Sequence, residues 1–445
     1  MVASNGYAQR QASIRGDLGV RKYSLGEARM NELHIPKEQI LASKSCSSCL
    51  SSNLFLGIDL GELPISNELK SISGQSTEFF PLQLFICENC SLGQAPSNIL
   101  PDRLFSDYRY LSSVSSTFVA HAHDFCQEVI KKDFIKPGEL VLEIACNDGY
   151  LLKNFLGSNF KILGVEPAKN VSKIAEFIGI PVINEFFGAK LAREILSKYG
   201  YPKLIIANNV LAHVPDIRDF MEGLSILSGP ATKISIENPS ILNILRDNQF
   251  DTIYHEHFSY LSCTSVDYLA KEFGLVLFDL DSIDIHGGSN RYWLAREISE
   301  ISQGLINELA SESSAGVSKK ESWYVAESRK DDTLIKFANW LQECRLNNET
   351  VIGYGAAAKA STLLNAAGVD KTLLSMICDL GSEKVGRFMP SEDFEIIDFS
   401  SLIAKNPENI IVFPWNIADE ISSQISKSLP DAKIWIAIPE LKRIR

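Results

Sequence analysis

Short apolar runs alternate with longer amphipathic ones through the middle of this sequence, and this alternation constrains the fold more than any other feature. The runs typical of buried strands are Leu140–Ala145, Lys161–Val165, Leu204–Ala207 and Lys233–Glu237, and helical patterns begin at Tyr150 and cover Asn170–Phe177 and Ile217–Leu227. Strands that alternate with helices build a mostly parallel sheet with helices on both faces. The sequence therefore predicts a doubly wound α/β domain.

A second α/β unit is predicted towards the C-terminus. A charged, helix-rich segment from 302 to 348 precedes it, with a weak point at the Ser-Glu-Ser-Ser-Ala-Gly run of 311–316. The predicted elements of this unit are the strands Thr350–Tyr354, Leu373–Cys378, Ile410–Phe413 and Lys433–Ile438 and the helix Ala357–Ala367. Ahead of the first unit, a strand is predicted over Phe79–Cys87 and a helix over Ser116–Lys132.

Length and charge limit the possible partners. The 445 residues correspond to about two to four domains. A net charge of −12 argues against broad nucleic-acid binding, which needs a basic face. We find no apolar run of about 18 residues, so no membrane span is expected. Residues 1–43 have no apolar signal region, and we interpret them as a flexible tail.

Two Cys-x-x-Cys pairs predict a metal site. Cys46 and Cys49 form one pair and Cys87 and Cys90 the other, and four thiolates complete the tetrahedral shell of Zn²⁺. A complete shell has no open position for water, so we expect this zinc to be structural and to stabilise a module with little apolar mass of its own. The alternatives are buried free cysteines or a redox pair. Nine cysteines in a chain of this length fit a reducing cytoplasm better than a disulfide framework.

The turn after the first strand of the central unit has the character of a cofactor loop. Glu143 lies near the strand end, and Asn147, Asp148 and Gly149 follow. Glu166 ends the second strand, where a carboxylate can accept both hydroxyls of a ribose. Further cofactor contacts are predicted at Glu185, Phe186, Asn208 and Asn209. The Gly-x-Gly-x-x-Gly run of dinucleotide-binding proteins is absent here, which favours S-adenosylmethionine; the alternative is an ordinary acidic turn.

The segment Tyr254-His-Glu-His-Phe-Ser-Tyr260 is the densest polar and aromatic stretch, and His213 follows the fourth strand. Both places are expected at the carboxyl ends of strands, where ligands bind in open α/β sheets. A histidine can take a proton near neutral pH, and a tyrosine hydroxyl can stabilise an enolate oxygen. Two alternatives remain: a metal held by His255 and His257 from one side of a strand, or a purely structural polar cluster.

These segments together resemble the sugar C-methyltransferases of deoxysugar pathways, the mycarose and tetronitrose type. The resemblance rests on the two Cys-x-x-Cys pairs, Glu143-Ile-Ala-Cys-Asn-Asp-Gly-Tyr-Leu, Ala207-Asn-Asn-Val-Leu-Ala-His-Val-Pro, Tyr254-His-Glu-His-Phe-Ser-Tyr, His286-Gly-Gly-Ser and Gly353-Tyr-Gly-Ala-Ala-Ala-Lys. It runs from about Cys46 to the C-terminus. Motif I of class I methyltransferases usually has further glycines where this chain has Ala145 and Asn147.

The resemblance implies an α/β protein of three parts. These are a zinc-binding module over 44–104, a class I methyltransferase Rossmann-like domain over 105–300 and a C-terminal Rossmann-like domain over 301–445 that helps to hold the substrate. It also implies that His257 is the base, with Tyr254, Glu256 and His213 around the reacting centre. A tyrosine from the N-terminal side is expected too, for which Tyr108 is the first candidate and Tyr110 the second.

Further substrate contacts are predicted around two glycine-containing segments. His286, Gly288, Ser289 and Arg291 form the first, although this run could be only a glycine turn. Tyr354 and Lys359 belong to the second, which could also hold NAD if it were a redox site. Lys359 meets either a phosphate or solvent. Trp415 and Asn416 follow a strand end and could line the same cleft, whereas His121 and His123 are expected to be surface or packing residues.

The leading hypothesis is S-adenosylmethionine-dependent C-methylation of a nucleotide-linked 4-keto-deoxysugar through an enolate. One alternative is a methyltransferase of the same build with an oxygen or non-sugar acceptor, and another is a non-catalytic binding protein that retains the fold. A cytoplasmic protein is expected, without nucleic-acid or membrane partners, as a monomer or weak oligomer.

Overall fold

The computed structural model describes residues 45–96, 99–100, 103–104, 111–284, 287–298 and 300–445. The predictions made for residues 1–43, for Tyr108 and Tyr110 and for His286 lie outside these ranges.

The described residues form seventeen strands. In chain order they are β1 (Leu54–Leu63), β2 (Phe80–Cys87), β3 (Gly93–Gln94), β4 (Leu140–Ile144), β5 (Lys161–Val165), β6 (Val182–Ile183), β7 (Leu204–Asn208), β8 (Lys233–Pro239), β9 (Ser259–Tyr260), β10 (Val276–Ile283), β11 (Ser289–Ala295), β12 (Val351–Tyr354), β13 (Met376–Cys378), β14 (Glu395–Ile397), β15 (Asn409–Val412), β16 (Lys433–Ile436) and β17 (Lys442–Arg443).

Eleven α-helices connect or cover the strands in the same described ranges. They are α1 (Ser116–Lys131), α2 (Lys169–Phe177), α3 (Ala189–Tyr199), α4 (Ile217–Leu227), α5 (Ile241–Asp247), α6 (Cys263–Glu272), α7 (Gln303–Ala315), α8 (Lys320–Leu346), α9 (Ala358–Ala366), α10 (Phe399–Lys405) and α11 (Ala418–Ser428). Short 3₁₀ turns include Leu152–Phe155, Leu211–His213 and Phe250–Thr252.

The central unit is a seven-stranded sheet in the order β10-β11-β8-β7-β4-β5-β6. β8, β7, β4, β5 and β6 run parallel, whereas β11 is antiparallel to both of its neighbours. This confirms the predicted doubly wound α/β domain. The carboxyl ends of β4, β5, β7 and β8 meet at one edge, so the polar residues that follow these strands lie around a common cleft.

One predicted helix of this unit is wrong. After β4 the chain forms the 3₁₀ turn Leu152–Phe155 in place of an α-helix from Tyr150. The amide of Asn154 donates to the carbonyls of Tyr150 and Leu151, at 3.4 and 2.9 Å. Side-chain bonds of this kind compete with helical backbone bonds.

The C-terminal unit is a six-stranded sheet in the order β14-β13-β12-β15-β16-β17, in which only the β16–β17 pair is antiparallel. This agrees with the prediction of a Rossmann-like unit. The helical segment before it divides at Gly316, which ends α7 with a left-handed φ of 72°. The weak point expected at residues 311–316 is therefore a helix end.

The N-terminal module shares its sheet and its hydrophobic core with the rest of the chain. Its sheet has the order β1-β2-β3-β9, and β9 comes from the segment that the sequence analysis identified as catalytic. One hydrophobic cluster joins Phe55 and Ile58 of β1, Trp323 and Phe337 of α8, and Ile377 of β13. The module thus obtains its core from the rest of the chain, because it has too little apolar mass of its own.

Within the described ranges, no helix is both long and apolar enough to cross a bilayer.

Candidate functional site

The four predicted metal ligands come together. Cys46, Cys49, Cys87 and Cys90 place their sulfur atoms within 4.8 Å of one another, and they are the only such cluster of potential ligands in the described residues. The Cys46–Cys90 and Cys49–Cys87 sulfurs are 3.5 and 3.4 Å apart. A tetrahedral Zn²⁺ with bonds of about 2.3 Å holds its sulfurs about 3.8 Å apart, so this cluster fits zinc.

Polar contacts hold the zinc site within its own module and attach it to the central unit. The amide oxygen of Gln94 accepts a hydrogen bond of 2.9 Å from the backbone N–H of Ser47 between the first two ligands. Arg218 of α4 donates to the carbonyl of Ser48. A Zn²⁺ bound by all four sulfurs would have no open coordination position for a substrate, which supports a structural role for the ion.

The loop after β4 has the backbone shape of a cofactor loop. Ala145, Asn147 and Gly149 have left-handed φ values of 58°, 51° and 80°. Two residues that stand where the methyltransferase motif usually has glycine thus take up the glycine-like conformation at some cost in backbone energy. The N–H of Asn147 donates to Glu166 Oε2 at 3.0 Å, which ties the loop to the end of β5.

Three carboxylates surround this loop. Glu143 and Glu166 are almost fully buried, as is Asp148. Burial raises the pKa of Glu143 well above its ordinary value, and the nearby charges of Glu166 and Asp148 raise it further. Burial also raises the pKa of Glu166, although backbone N–H groups of Ala168 and Asn147 oppose this. A cluster of carboxylates attracts a cationic ligand and repels a pyrophosphate.

Buried polar atoms without partners show where a ligand would make its hydrogen bonds. Glu143 Oε2, Asp148 Oδ1, Asn208 Oδ1 and Asn209 Nδ2 have no hydrogen-bond partner among the described residues. Such atoms are costly unless something satisfies them. Donors and acceptors at the ends of β4 and β7 fit the ammonium, carboxylate and ribose groups of S-adenosylmethionine. The predicted cofactor residues Glu143, Asn147, Asp148, Gly149, Glu166, Asn208 and Asn209 therefore lie together.

The other two predicted cofactor residues lie at the rim of the cleft. Glu185 and Phe186 follow β6, and both are exposed. The Phe186 ring is 53% exposed, which leaves an aromatic face open beside the end of the sheet.

The predicted catalytic histidines and tyrosine also meet. Tyr254 Oη and His257 Nε2 are 2.9 Å apart, and the rings of His213 and His257 are 4.6 Å apart in an edge arrangement. His257 is buried to 8% exposure and borders a small cavity of about 10 Å³ that is also lined by Asn238 and Thr252. The cluster occupies the edge where β7 and β8 end.

The hydrogen bonds fix the tautomers of two neighbouring imidazoles. His213 Nδ1 lies 2.8 Å from the backbone oxygen of Glu256, and a carbonyl can only accept, so Nδ1 carries the proton. His255 Nε2 likewise donates to the carbonyl of Phe80 at 3.3 Å. Burial lowers the pKa of both histidines to about 4, so both are neutral at physiological pH.

The metal alternative at this segment is not supported. Residues 254–258 form a turn that precedes β9, so His255 and His257 are not on one side of a strand. His255 contacts Phe80 of the N-terminal module, whereas His257 contacts Tyr254. The Nε2 atoms of the two rings are engaged by different partners. Glu256 between them is buried, and the amide of Asn67 donates to its Oε1 at 2.9 Å.

The glycine turn near the predicted substrate residues packs closely. A Cβ on Gly287 would lie 2.3 Å from the Trp415 ring, and one on Gly288 would lie 2.1 Å from the Asn243 amide nitrogen. Both glycines also have left-handed φ values, of 91° and 103°. Ser289 follows at the buried start of β11. The turn thus brings the end of the central sheet against the C-terminal unit.

Arg291 was predicted to contact substrate, and the structure places it elsewhere. It is 3% exposed and forms an ion pair of 2.9 Å with Glu237 under α1. His121 Nε2 lies 3.0 Å from the same carboxylate, so His121 is more than the surface or packing residue expected. Burial raises the pKa of Glu237, but the hydrogen bond from His121 and the charge of Arg291 outweigh it, and the pKa ends below its ordinary value. Arg291 is therefore part of an internal ion cluster.

Of the two C-terminal predictions, only Lys359 lies at the interface with the central unit. Its ammonium is 4.1 Å from the centre of the Trp415 ring and 3.0 Å from Asn416 Oδ1. The indole N–H of Trp415 in turn donates to Asp251 Oδ2 at 2.8 Å. Burial raises the pKa of Asp251 to about 6, although Lys359 opposes this. Tyr354 instead packs against Phe399 in the hydrophobic cluster on the opposite face of the C-terminal sheet.

Sequence reasoning missed several residues of the site. Asp251, Asn67 and Asn238 are single polar residues outside any recognisable motif. Asn238 Oδ1 accepts from the N–H of Ala212 at 3.3 Å, and its Nδ2 has no partner among the described residues. The one sequence feature that could have indicated Asp251 is its position three residues before Tyr254.

Models of known protein families match three consecutive parts of the chain. A zinc binding domain model matches residues 46–105, a methyltransferase domain model matches residues 118–280, and a model described as the C-methyltransferase C-terminal domain matches residues 284–439. The C-methyltransferase NovU of Streptomyces niveus is 29% identical over 401 residues, which are 89% of this chain and 95% of that protein.

Solved structures resemble the chain over less than half of its length. The magnesium protoporphyrin IX methyltransferase of Synechocystis is 14% identical, with a TM-score of 0.33 over 44% of this chain and 92% of that one. A methyltransferase from Clostridium acetobutylicum is 12% identical, with a TM-score of 0.30 over 39% of this chain and 89% of that one. Neither likeness bears on the acceptor.

We predict that Cys49→Ser removes the zinc and destabilises the chain. Three thiolates hold Zn²⁺ far less tightly than four, and the module depends on the ion for its shape. Elemental analysis should fall from about one zinc per chain to well below one, and the melting temperature should fall by several degrees. Cys344→Ala is the matched control, because this buried cysteine lies outside the cluster. Full zinc content in Cys49→Ser would contradict the assignment.

We predict that Glu143→Gln weakens S-adenosylmethionine binding about tenfold or more, because a charged hydrogen bond of about 1.5 kcal/mol is lost. Because the pKa of Glu143 is raised in the unsubstituted chain, its carboxyl becomes protonated at a higher pH than an ordinary glutamate does. A cation favours the ionised form, so affinity should fall as pH is lowered, and Glu143→Gln should flatten this dependence. Calorimetric titration from about pH 8 to about pH 5.5 measures both effects.

Glu139→Gln is the matched control for this experiment. Glu139 precedes β4 at the opposite end of the strand and accepts a hydrogen bond from the N–H of Lys136. Equal loss of affinity in both variants would place the cofactor away from Glu143.

Proposed function

Because the chain is an S-adenosylmethionine-dependent C-methyltransferase, we propose that its acceptor is the carbon beside the ketone of a nucleotide-linked 4-keto-deoxysugar. The reaction would proceed through an enolate generated by His257, and the enzyme would serve deoxysugar biosynthesis. The observation that carries the proposal is the contact of 2.9 Å between Tyr254 Oη and His257 Nε2 beside a neutral His213.

Neutral imidazoles favour removal of a proton from carbon. The carbon beside a ketone is a weak acid, so its base must be unprotonated and must be held near the C–H bond. His213 keeps its proton on Nδ1, which leaves Nε2 as an acceptor, and burial keeps its pKa at about 4. His213 therefore adds no positive charge that would oppose protonation of His257.

In this proposal the hydroxyl of Tyr254 stabilises the negative charge that develops on the enolate oxygen. It lies within hydrogen-bond distance of His257 Nε2, and a phenol can donate to an enolate oxygen as readily as to an imidazole. Glu256 lies next to the base, and its Oε2 is buried without a partner in the described residues. This oxygen is available to accept a hydrogen bond from a sugar hydroxyl.

When bound, S-adenosylmethionine supplies the electrophilic methyl group. The chain's own part is to hold the donor on the acidic loop after β4 and the acceptor beside His257, at neighbouring strand ends of one sheet edge. Holding two reactants in one orientation removes much of the entropic barrier of a bimolecular step.

The contact between the two α/β units suits the nucleotide part of the substrate. Lys359 offers a cation above Trp415, and Asp251 accepts from the indole below it. Burial lowers the pKa of Lys359, and Asp251 opposes this shift. Among the described residues the Lys359 ammonium donates one hydrogen bond, to Asn416, so it retains donors for a phosphate oxygen.

We predict that His257→Gln abolishes proton exchange at the acceptor. In deuterated buffer the unsubstituted enzyme, given a thymidine diphosphate-linked 4-keto-6-deoxysugar, should introduce deuterium at the carbon beside the ketone, and addition of S-adenosylmethionine should add one methyl to the sugar. General-base catalysis contributes about 10²- to 10⁴-fold, so His257→Gln should lose that much exchange. Mass spectrometry of the sugar measures both reactions.

His123→Gln is the control of the same residue type, because His123 is exposed on α1 and contacts only Asn154 in the described structure. Transfer of a methyl to an oxygen without exchange would replace the proposal by O-methylation. Absence of transfer to any keto-sugar, with S-adenosylmethionine still bound, would point to a non-sugar acceptor.

A further inference from the structure

The N-terminal module reaches the catalytic segment at several points. β3 pairs with β9, so that Gly93 faces Tyr260 and Gln94 faces Ser259. The N–H of Ala95 donates to the carbonyl of Phe258 at 3.0 Å. His255 also donates to the carbonyl of Phe80, at the end of the connection between β1 and β2. These contacts bring that connection, residues 64–79, beside the catalytic turn.

Asn67 lies in this β1–β2 connection and makes the contact that bears most directly on the chemistry. Its Nδ2 donates to Glu256 Oε1 at 2.9 Å. Glu256 is 3% exposed, whereas Asn67 is exposed at the rim of the site. The carbonyl of Glu256 meanwhile accepts from His213 Nδ1. One residue therefore links the module, the neutral histidine and the turn that carries His257.

We propose that Asn67 is a positioning residue of the active site, which holds the Glu256 carboxyl in place through the hydrogen bond to its Oε1. The zinc-binding module would thereby contribute a side chain to catalysis in addition to its structural role. This inference rests on the proposed function only in that Glu256 lies beside the base; the hydrogen bond itself does not depend on the acceptor.

The connection that carries Asn67 is fixed from its other side. Three residues on, Lys70 exchanges two backbone hydrogen bonds with Phe388, of 2.8 and 2.9 Å. The buried ammonium of Lys70 forms an ion pair with Asp393 and donates to the carbonyl of Ser391 at 2.8 Å. The N–H of Gly74 donates to the same Asp393 carboxylate at 2.8 Å. These contacts tie the β1–β2 connection to the C-terminal unit, so Asn67 is held in place beside Glu256.

The charge around Glu256 explains why one amide matters. Burial raises the pKa of Glu256, the hydrogen bond from Asn67 lowers it, and the negative charge of Glu68 raises it. Tyr260 also interacts electrostatically with this carboxyl, and the neutral His213 hydrogen-bonds to the backbone carbonyl of Glu256. In the described residues no cation pairs with Glu256, so the Asn67 amide is the side-chain donor that favours its ionised form.

The test measures the pKa of Glu256 directly in the full-length, zinc-loaded protein. Carboxyl-carbon NMR of glutamate-labelled protein, with Glu256→Gln to assign the signal, should show the pKa of Glu256 raised by about one unit in Asn67→Ala and by more in Asn67→Asp. Loss of a donor disfavours the carboxylate, and a second carboxylate adds repulsion. Asn53→Ala is the matched control, because the side-chain amide of this exposed asparagine of the same module donates to Asn89, far from Glu256.

Turnover supplies a second measurement. With a thymidine diphosphate-linked 4-keto-6-deoxysugar, Asn67→Ala should lower kcat about tenfold and move the acid limb of the pH–rate profile to higher pH, with unchanged zinc content and S-adenosylmethionine affinity. Asn67→Gln, which keeps an amide, should recover part of the loss. An unmoved Glu256 pKa in Asn67→Ala, or an equal shift in Asn53→Ala, would overturn the inference. Absence of turnover in the unsubstituted enzyme would refute the proposed acceptor, and the NMR result would still decide the role of Asn67.

Discussion

The pairing of β3 with β9 is the interaction on which the rest of the site depends. Only two residues of each strand take part, Gly93 and Gln94 against Tyr260 and Ser259. The second pair of zinc ligands ends at Cys90, three residues before β3 begins, and the turn that carries Tyr254 and His257 leads into β9. A metal ion that fixes one end of this short pairing therefore also restricts the turn at the other end. A Cβ at Gly93 would lie 2.5 Å from Ile241 Cδ1 and 3.0 Å from Tyr260 Cβ, so a side chain here would force its neighbours to shift.

The cleft contains two electrostatic environments within one sheet edge. At the end of β4 the carboxyls are buried close together, and their mutual repulsion is relieved by a cation. Past the ends of β7 and β8, burial instead removes charge from the imidazoles. Separate environments of this kind allow one domain to hold a charged donor and to carry out base chemistry beside it. The internal ion cluster of Glu237, Arg291 and His121 stays apart from both, under α1.

Features that depend on local pattern were predictable from the sequence. The strand and helix alternation, the break at Gly316 and the four cysteines follow from periodicity, turn chemistry and spacing. His213 does follow a strand, as expected, but Tyr254 and His257 follow the 3₁₀ turn Phe250–Thr252 and precede β9, so the meeting of the three was implied by the family resemblance and not by strand positions. The helix from Tyr150 was wrong because the Asn154 side chain competes for backbone carbonyls. Arg291 and Tyr354 were misplaced because a strand residue faces one side or the other by register, and a single sequence does not fix which neighbour lies there.

Contacts between distant segments could not be predicted in this way. Asn67 and Glu256 are 189 positions apart in the sequence, and Lys70 and Asp393 are 323 positions apart. No sequence motif indicates that either pair is in contact. The same holds for β9, which is two residues long and pairs with a module that precedes it by more than 160 positions. Such pairings come from the packing of whole units. They are the part of the site for which a structure was needed.

The acidic loop after β4 has a consequence for what happens once the methyl group has left. Transfer to carbon turns the sulfonium into a neutral thioether, so the spent donor carries one positive charge fewer than the loaded one. Glu143, Asp148 and Glu166 are buried carboxyls at fixed places around this loop, so a donor bound there would be attracted more strongly in its loaded form than in its spent form. This difference in charge would favour exchange of the spent donor for a fresh one.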